Sequence, residues 1–123
     1  MTNIGFEPKN DSGTARVGKL IVGNKKVDTP LIFFGYRIGD RPHVWKDVNV
    51  EALMPNAYDI YIGKKGSEQI LSKGIHSFLK FNGLVMMDSG GFYFQKKGQI
   101  NVSAQEILEI EEKSKPDIGV VLD

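Results

Sequence analysis

Leu84-Val85-Met86-Met87-Asp88-Ser89-Gly90-Gly91-Phe92 is the stretch on which the fold turns. Four apolar residues in succession, without the polar alternation of a half-exposed strand, describe a β-strand covered on both faces. Asn82-Gly83 turns the chain into this run, and the run stops abruptly at Asp88. Gly90-Gly91 then allows backbone to approach a ligand closely, and Phe92 offers an aromatic face for stacking a planar base.

The same pattern recurs along the chain. Leu31-Ile32-Phe33-Phe34 is a continuous apolar run ending at Gly35, again read as a strand covered on both faces. Ala52-Leu53-Met54 stops at Pro55-Asn56, and Ile118-Gly119-Val120-Val121-Leu122 ends on Asp123. Helical segments lie between these runs. Ser67 is placed to cap a helix through Glu68, Gln69, Ile70 and Leu71, with Gly74 as its C-terminal cap, and a short apolar segment follows at Phe78-Leu79. Ser103-Ala104-Gln105-Glu106 has capping-box spacing, Ile107, Leu108 and Ile110 supply the apolar face of the helix it opens, and Pro116 stops that helix. Apolar runs alternating with helices imply parallel strands joined by crossovers. Upstream, Val17 to Val22 and Lys26 to Thr29 flank Gly23-Asn24, which predicts a β-hairpin broken off by Pro30. Residues 1–13 read as a loose lead-in, residues 14–123 as one α/β unit, and residues 36–47 as a long loop with no assigned role.

Composition narrows the function classes. The 123 residues, 41% of them hydrophobic, are enough to build a single core. Sixteen basic and fifteen acidic residues leave a net charge of +1, so any polyanion must be met locally. Lys25-Lys26, Lys64-Lys65 and Lys96-Lys97 are the local candidates, and scattered pairs of this kind are more often solvated surface. The absence of cysteine excludes disulfides, a thiolate nucleophile and a cysteine-zinc site within these residues. Residues 1–12 lack the apolar core of a signal peptide, and no run approaches the ~18 apolar residues of a membrane span. The expectation is a soluble, cytoplasmic protein.

Asp88 and Asp123 occupy equivalent strand ends. In a β/α barrel or an open α/β sheet those ends open on one face, where ligands bind and catalytic side chains collect. Two carboxylates are therefore expected on one pocket, with the Asn56 amide on the same rim. A lone strand-end aspartate is ordinarily a turn or cap residue, but the helix expected next has its own cap at Ser103, which frees Asp88 from that task. Paired carboxylates also suit a two-carboxylate glycosidase, and the aromatic beside a glycine pair favours a planar base over a sugar chain.

At these residues the sequence resembles the tRNA-guanine transglycosylases, which exchange a guanine in tRNA for a 7-deazaguanine base. Asp88-Ser89-Gly90-Gly91-Phe92 matches that family's signature, Gly74-Ile75-His76-Ser77-Phe78 resembles its Gly-Leu-His-Lys-Phe segment, and Asn56-Ala57-Tyr58-Asp59-Ile60 its Asn-Thr-Tyr-His-Leu segment. Thr29-Pro30 sits where the family's hairpin gives way to the first barrel strand, and the likeness runs in order from about Gly18 to Asp123. The short interval from Asp88 to Asp123 resembles the archaeal-type branch.

The resemblance implies the N-terminal part of a (β/α)₈ TIM-type barrel preceded by a β-hairpin, with tRNA and a guanine or 7-deazaguanine base as partners. Homo-oligomerisation is left open. It implies that Asp88 is the general acid/base and that Phe92 stacks on the exchanging base. Asp123 would hydrogen-bond the base edge, with Ser89, Gly90, Gly91 and Asn56 completing the binding rim. The family's nucleophilic aspartate and zinc ligands are expected beyond Asp123, so no metal or other cofactor is expected within these residues. A whole barrel needs about 250 residues, so a fragment or one piece of a split enzyme is expected, inactive alone. Two positions depart from the family pattern: Asp59 stands in place of a histidine and Tyr93 in place of a glutamine. A related enzyme exchanging bases in DNA and a non-catalytic RNA-binding subunit remain the alternatives.

Overall fold

The computed structural model describes residues 3–40, 44–98 and 101–122. The first three strands, β1 (Ile4–Ser12), β2 (Ala15–Val22) and β3 (Lys25–Thr29), form an antiparallel sheet in chain order. Gly23, at φ 60°, makes the turn expected between β2 and β3. The lead-in expected over residues 1–13 is corrected by β1, which pairs with β2 from Ile4↔Val22 to Ser12↔Ala15 with one register shift between Pro8 and Asn10. Almost every β1 side chain is exposed, so this strand is held by its backbone ladder and leaves no apolar pattern to read.

The remaining strands, β4 (Phe34–Gly35), β5 (Ala52–Met54), β6 (Leu84–Met87) and β7 (Ile118–Gly119), form a parallel sheet in which each strand lies beside its successor. Among the described residues six helices accompany them: α1 (Val44–Asp47), α2 (Ala57–Tyr61), α3 (Ser67–Lys73), α4 (Ile75–Leu79), α5 (Gly91–Lys96) and α6 (Ala104–Ser114). Side-chain alternation along β5 and β6 divides the core. Leu53, Val85 and Met87 pack with Ile38, Ile60, Ile70, Ile75, Leu79 and Ile107. Ala52 and Leu84 point the other way and pack with Val22, Leu20, Val27 and Ile118 under the hairpin sheet. Both faces are covered, as the unbroken apolar run 84–87 requires.

The two outer runs behave differently. Within Leu31–Phe34 only Phe34 enters a strand, and Ile32 and Phe34 are 69% and 49% exposed. Of Ile118–Leu122 only Ile118–Gly119 is strand, and Val121 is 75% exposed. Each edge strand of the described sheet has one neighbour, and while Leu31, Phe33 and Ile118 still pack under the hairpin sheet, Ile32, Phe34 and Val121 find no such cover. Conversely, the segment 36–47, expected as a long loop with no assigned role, contributes core: Tyr36 and Ile38 are buried, and Trp45 packs edge-on against Tyr36 and Phe81.

Helix ends follow the sequence in most places. Ser103 and Glu106 form the reciprocal capping box, with Glu106 N–H donating to Ser103 Oγ at 3.1 Å and Ser103 N–H to Glu106 Oε2 at 2.7 Å. Gly74 ends α3 as expected. Ser67 is not the cap of α3: Gly66 holds that position at φ 97°, where a Cβ would stand 2.5 Å from the Phe78 ring. Ser67 Oγ instead donates to the Lys64 carbonyl at 2.6 Å.

One polar cluster ties the hairpin to the parallel sheet at the starts of β6 and β7. Asp117 accepts from Lys25 Nζ at 3.0 Å and from Val85 N–H at 2.8 Å, and its Oδ2 lies 2.9 Å from His76 Nε2. Lys25 also donates to the Gly83 carbonyl, and His76 Nδ1 faces the Phe81 carbonyl at 2.8 Å. His76, from the Gly-Ile-His segment, thus joins α4 to the sheet. Removing the acceptor strands several donors in a half-buried place, so Asp117→Ala should lower the unfolding free energy by roughly 2–4 kcal/mol in urea titration. A loss under about 0.5 kcal/mol would contradict this role for the cluster.

Candidate active site

Asn56 follows β5 and Asp88 follows β6, so parallel pairing brings them side by side as an isolated bridge beyond the strand ends. Backbone bonds fix the juncture: Asp88 N–H donates to Pro55 O at 2.9 Å and Ala57 N–H to Asp88 O at 2.8 Å. The Asn56 side chain caps α2, its Oδ1 accepting from Tyr58 N–H at 2.8 Å. With the amide oxygen committed to the helix, its NH₂ faces Asp88 and donates to Oδ2 at 2.8 Å. Asp88 is half-buried, and this neutral donor orients its carboxylate.

The glycine pair folds the chain back over this juncture. Gly90 adopts φ 86°, and a Cβ there would stand 2.6 Å from both Asn56 Oδ1 and Tyr58 Cβ, so glycine is required for conformation and for space. Ser89 is buried, and its Oγ accepts weakly from Gly91 N–H at 3.4 Å. Helix α5 begins at Gly91, earlier than the helix expected at Ser103, and its cap is Gly90, so Asp88 still caps no helix. Phe92, in the first turn of α5, is 69% exposed with its ring edge-on to Tyr93. The Leu122 side chain approaches Gly91, bringing the chain beyond β7 against the same loop. Asp123 lies outside the described residues, and with it the expected meeting of two carboxylates.

The two departures from the family pattern meet through a residue that sequence reasoning missed. Asp59 on α2 is fully buried and takes a two-pronged ion pair from Arg37, Nε to Oδ2 at 3.0 Å and Nη2 to Oδ1 at 2.6 Å, while Ile38 N–H donates to Oδ2 at 3.0 Å. The hydrogen bond to Asp59 holds the Arg37 guanidinium above its already high ordinary range. That guanidinium lies 4.6 Å over the Tyr93 ring, which stacks on Tyr58 at 5.5 Å. Arg37 thus clamps α2 to α5, the helix that carries Phe92. No periodic pattern surrounds Arg37, so its sequence gives no signal of this role. Among the described residues no three His, Asp or Glu side chains converge as a metal site. Among the same residues no helix is long and apolar enough to cross a membrane.

The family model described as queuine tRNA-ribosyltransferase matches residues 11–123. The chain belongs to the queuine tRNA-ribosyltransferase family. It is 36% identical over 121 residues to a tRNA-guanine(15) transglycosylase of Pyrococcus furiosus, covering 96% of this chain and 21% of that protein. It is 32% identical over 124 residues to the tRNA-guanine(15) transglycosylase of Methanopyrus kandleri, covering 98% and 27%. The corresponding protein of Nanoarchaeum equitans is 30% identical over 125 residues, covering 98% and 29%. The chain therefore spans between a fifth and a third of the length of these relatives of the queuine tRNA-ribosyltransferase family.

The Arg37–Asp59 pair makes a prediction for this family member. Arg37→Leu leaves the buried Asp59 carboxylate without its cation and should cost roughly 3–5 kcal/mol of unfolding free energy. The double variant Arg37→Leu/Asp59→Leu removes the stranded charge and should recover part of that loss. Strictly additive losses in a denaturant double-mutant cycle would show that the two side chains are not coupled.

Proposed function

We propose that this chain supplies the acid–base and base-stacking side of a tRNA-guanine transglycosylase active site. The enzyme exchanges guanine in tRNA for a 7-deazaguanine base through a covalent glycosyl-enzyme, and the nucleophile lies outside residues 1–123. The observation that carries this reading is the Asp88 carboxylate oriented by Asn56, four residues ahead of the exposed ring of Phe92. A departing purine needs a proton at its ring and an incoming one must lose it, which a carboxylate within hydrogen-bond reach of the base can manage. A nucleotide drawn out of its stack loses its neighbours, and an exposed aromatic restores one of those faces. Asp123 accepts from the amino and ring N–H groups of the base, which discriminates against bases lacking those donors. Ser89, Gly90 and Gly91 line the rim with small groups, and Asn56 stays bound to Asp88.

On this reading β4 to β7 are the first four strands of a (β/α)₈ barrel preceded by a hairpin sheet. The sequential parallel order and the gathering of Asn56 and Asp88 at the carboxyl ends of β5 and β6 support it. The protein acts in the cytoplasm on tRNA, and the names of its archaeal relatives favour guanine 15 as the target. The remaining strands and the nucleophile come from chain outside these residues, so residues 1–123 alone turn over no base.

Expressed from its whole reading frame and given labelled guanine, the protein should incorporate label into tRNA and not into duplex DNA. Asp88→Ala should reduce that incorporation by roughly 10²- to 10⁴-fold. Label entering neither polymer, or an unchanged rate in the Asp88→Ala variant, contradicts the proposal.

A further inference from the structure

Glu111, in α6, is 6% exposed, and its Oε1 is closed off from solvent without a hydrogen-bond partner. An acceptor left in that state costs the full desolvation of the group, and folded chains leave few of them unpaired. Its Oε2 lies against β7, where a Cβ on Gly119 would stand only 2.6 Å away, so the strand admits the carboxyl through a residue that has no side chain. One oxygen is housed and the other is not.

The same residue lines a cavity of about 150 Å³ with Ile107, Leu108, Val121 and Leu122. Gln105, the other polar side chain of this lining, is turned aside and donates to Glu109 at 3.2 Å. Glu111 is therefore the polar group that an occupant of the cavity would meet. Leu108 and Val121 are 46% and 75% exposed, so part of the lining is apolar surface facing solvent. Strand β7 pairs with β6 on one edge, and no strand lies on its other edge among the described residues. A cavity of this size takes the end of one side chain and is too small for a folded element.

The chemistry of that side chain follows from its surroundings. An apolar group would leave Oε1 unpaired, and a second carboxylate would be repelled. A lysine or arginine satisfies both halves of the cavity, since its methylene stem covers apolar surface and its head donates to the carboxylate in a charge-assisted bond. Burial pushes the Glu111 carboxyl up to about 7, as expected of an acid with no cation beside it among the described residues.

We propose that the cavity beside Glu111 is a socket for the chain that follows residue 123, and that this segment seats a lysine or arginine there. The head rests on Glu111 Oε1 and the stem crosses Leu108 and Val121. The proposal rests on the barrel reading above, in which the element after β7 packs beside β7 and α6. The relatives supply chain of the needed length, since residues 1–123 cover 21% of the Pyrococcus furiosus protein and 27% of the Methanopyrus kandleri protein.

A crystal structure of the protein made from its whole reading frame tests the socket. A lysine or arginine nitrogen from beyond residue 123 should lie within hydrogen-bond distance of Glu111 Oε1. A closed barrel whose cavity holds an apolar side chain, ordered water or a second copy of the chain overturns the socket and leaves the barrel standing, whereas the lack of a barrel overturns both. Amide hydrogen exchange over residues 104–122 of the same protein supplies the energetic readout. Glu111→Leu should raise the local opening constant at least about tenfold by stranding the cation, and also replacing the seated cation by leucine should recover part of that loss. Strictly additive effects overturn the pairing. Neither measurement depends on base exchange, so failure of the catalytic reading and failure of the socket are told apart.

Discussion

The side-chain amide of Asn56 has two ends, and α2 claims one of them. Its oxygen is taken by the Tyr58 amide at the start of that helix, so its NH₂ is presented to Asp88. Backbone bonds from Asp88 to Pro55 and from Ala57 to Asp88 lock the same juncture, and Gly90 closes over it where no Cβ would fit. Two parallel strands, the helix after the first and the loop after the second therefore share one joint. Parallel strands buried on both faces leave their polar chemistry at their ends, and here those ends satisfy one another. The cluster around Asp117 does the corresponding work at the opposite ends of β6 and β7, fastening the hairpin sheet through Lys25.

Fold and site were legible in the sequence where burial is two-sided or where a local bond repays a particular residue. The runs 52–54 and 84–87 read as strands because both faces are covered, and the Gly23-Asn24 turn and Ser103–Glu106 box carry their own chemistry. Strand β1 was illegible because its ladder involves backbone and its side chains face solvent. Runs 31–34 and 118–122 promised longer strands than form, since an apolar run states what a segment would bury and not whether a second layer is there to bury it. Helix α5 escaped notice because a glycine at φ 86° opens it, with no side-chain cap to announce it.

Asn56 beside Asp88 was expected from strand-end geometry, and the contact is direct. Arg37 could not be expected, because an ion pair across 22 positions between a loop and a short helix has no sequence period. It turns two isolated departures, Asp59 and Tyr93, into one arrangement: a buried carboxylate demands a cation, and the same cation covers the ring that stacks on Tyr58. The aromatic group of Tyr58, Tyr93 and Phe92 is thus built from residues that differ from the family pattern as well as those that agree with it.

We propose that the base is handled by Asp88 and Phe92 together. A crystal structure of the protein made from its whole reading frame, soaked with guanine, tests it most directly. The expected result is a purine ring stacked on Phe92 with a ring nitrogen within hydrogen-bond reach of the Asp88 carboxylate. Guanine bound elsewhere, for instance in the cavity between Tyr36, Lys65, Gln69 and Phe78, with Phe92 left uncovered, would contradict it.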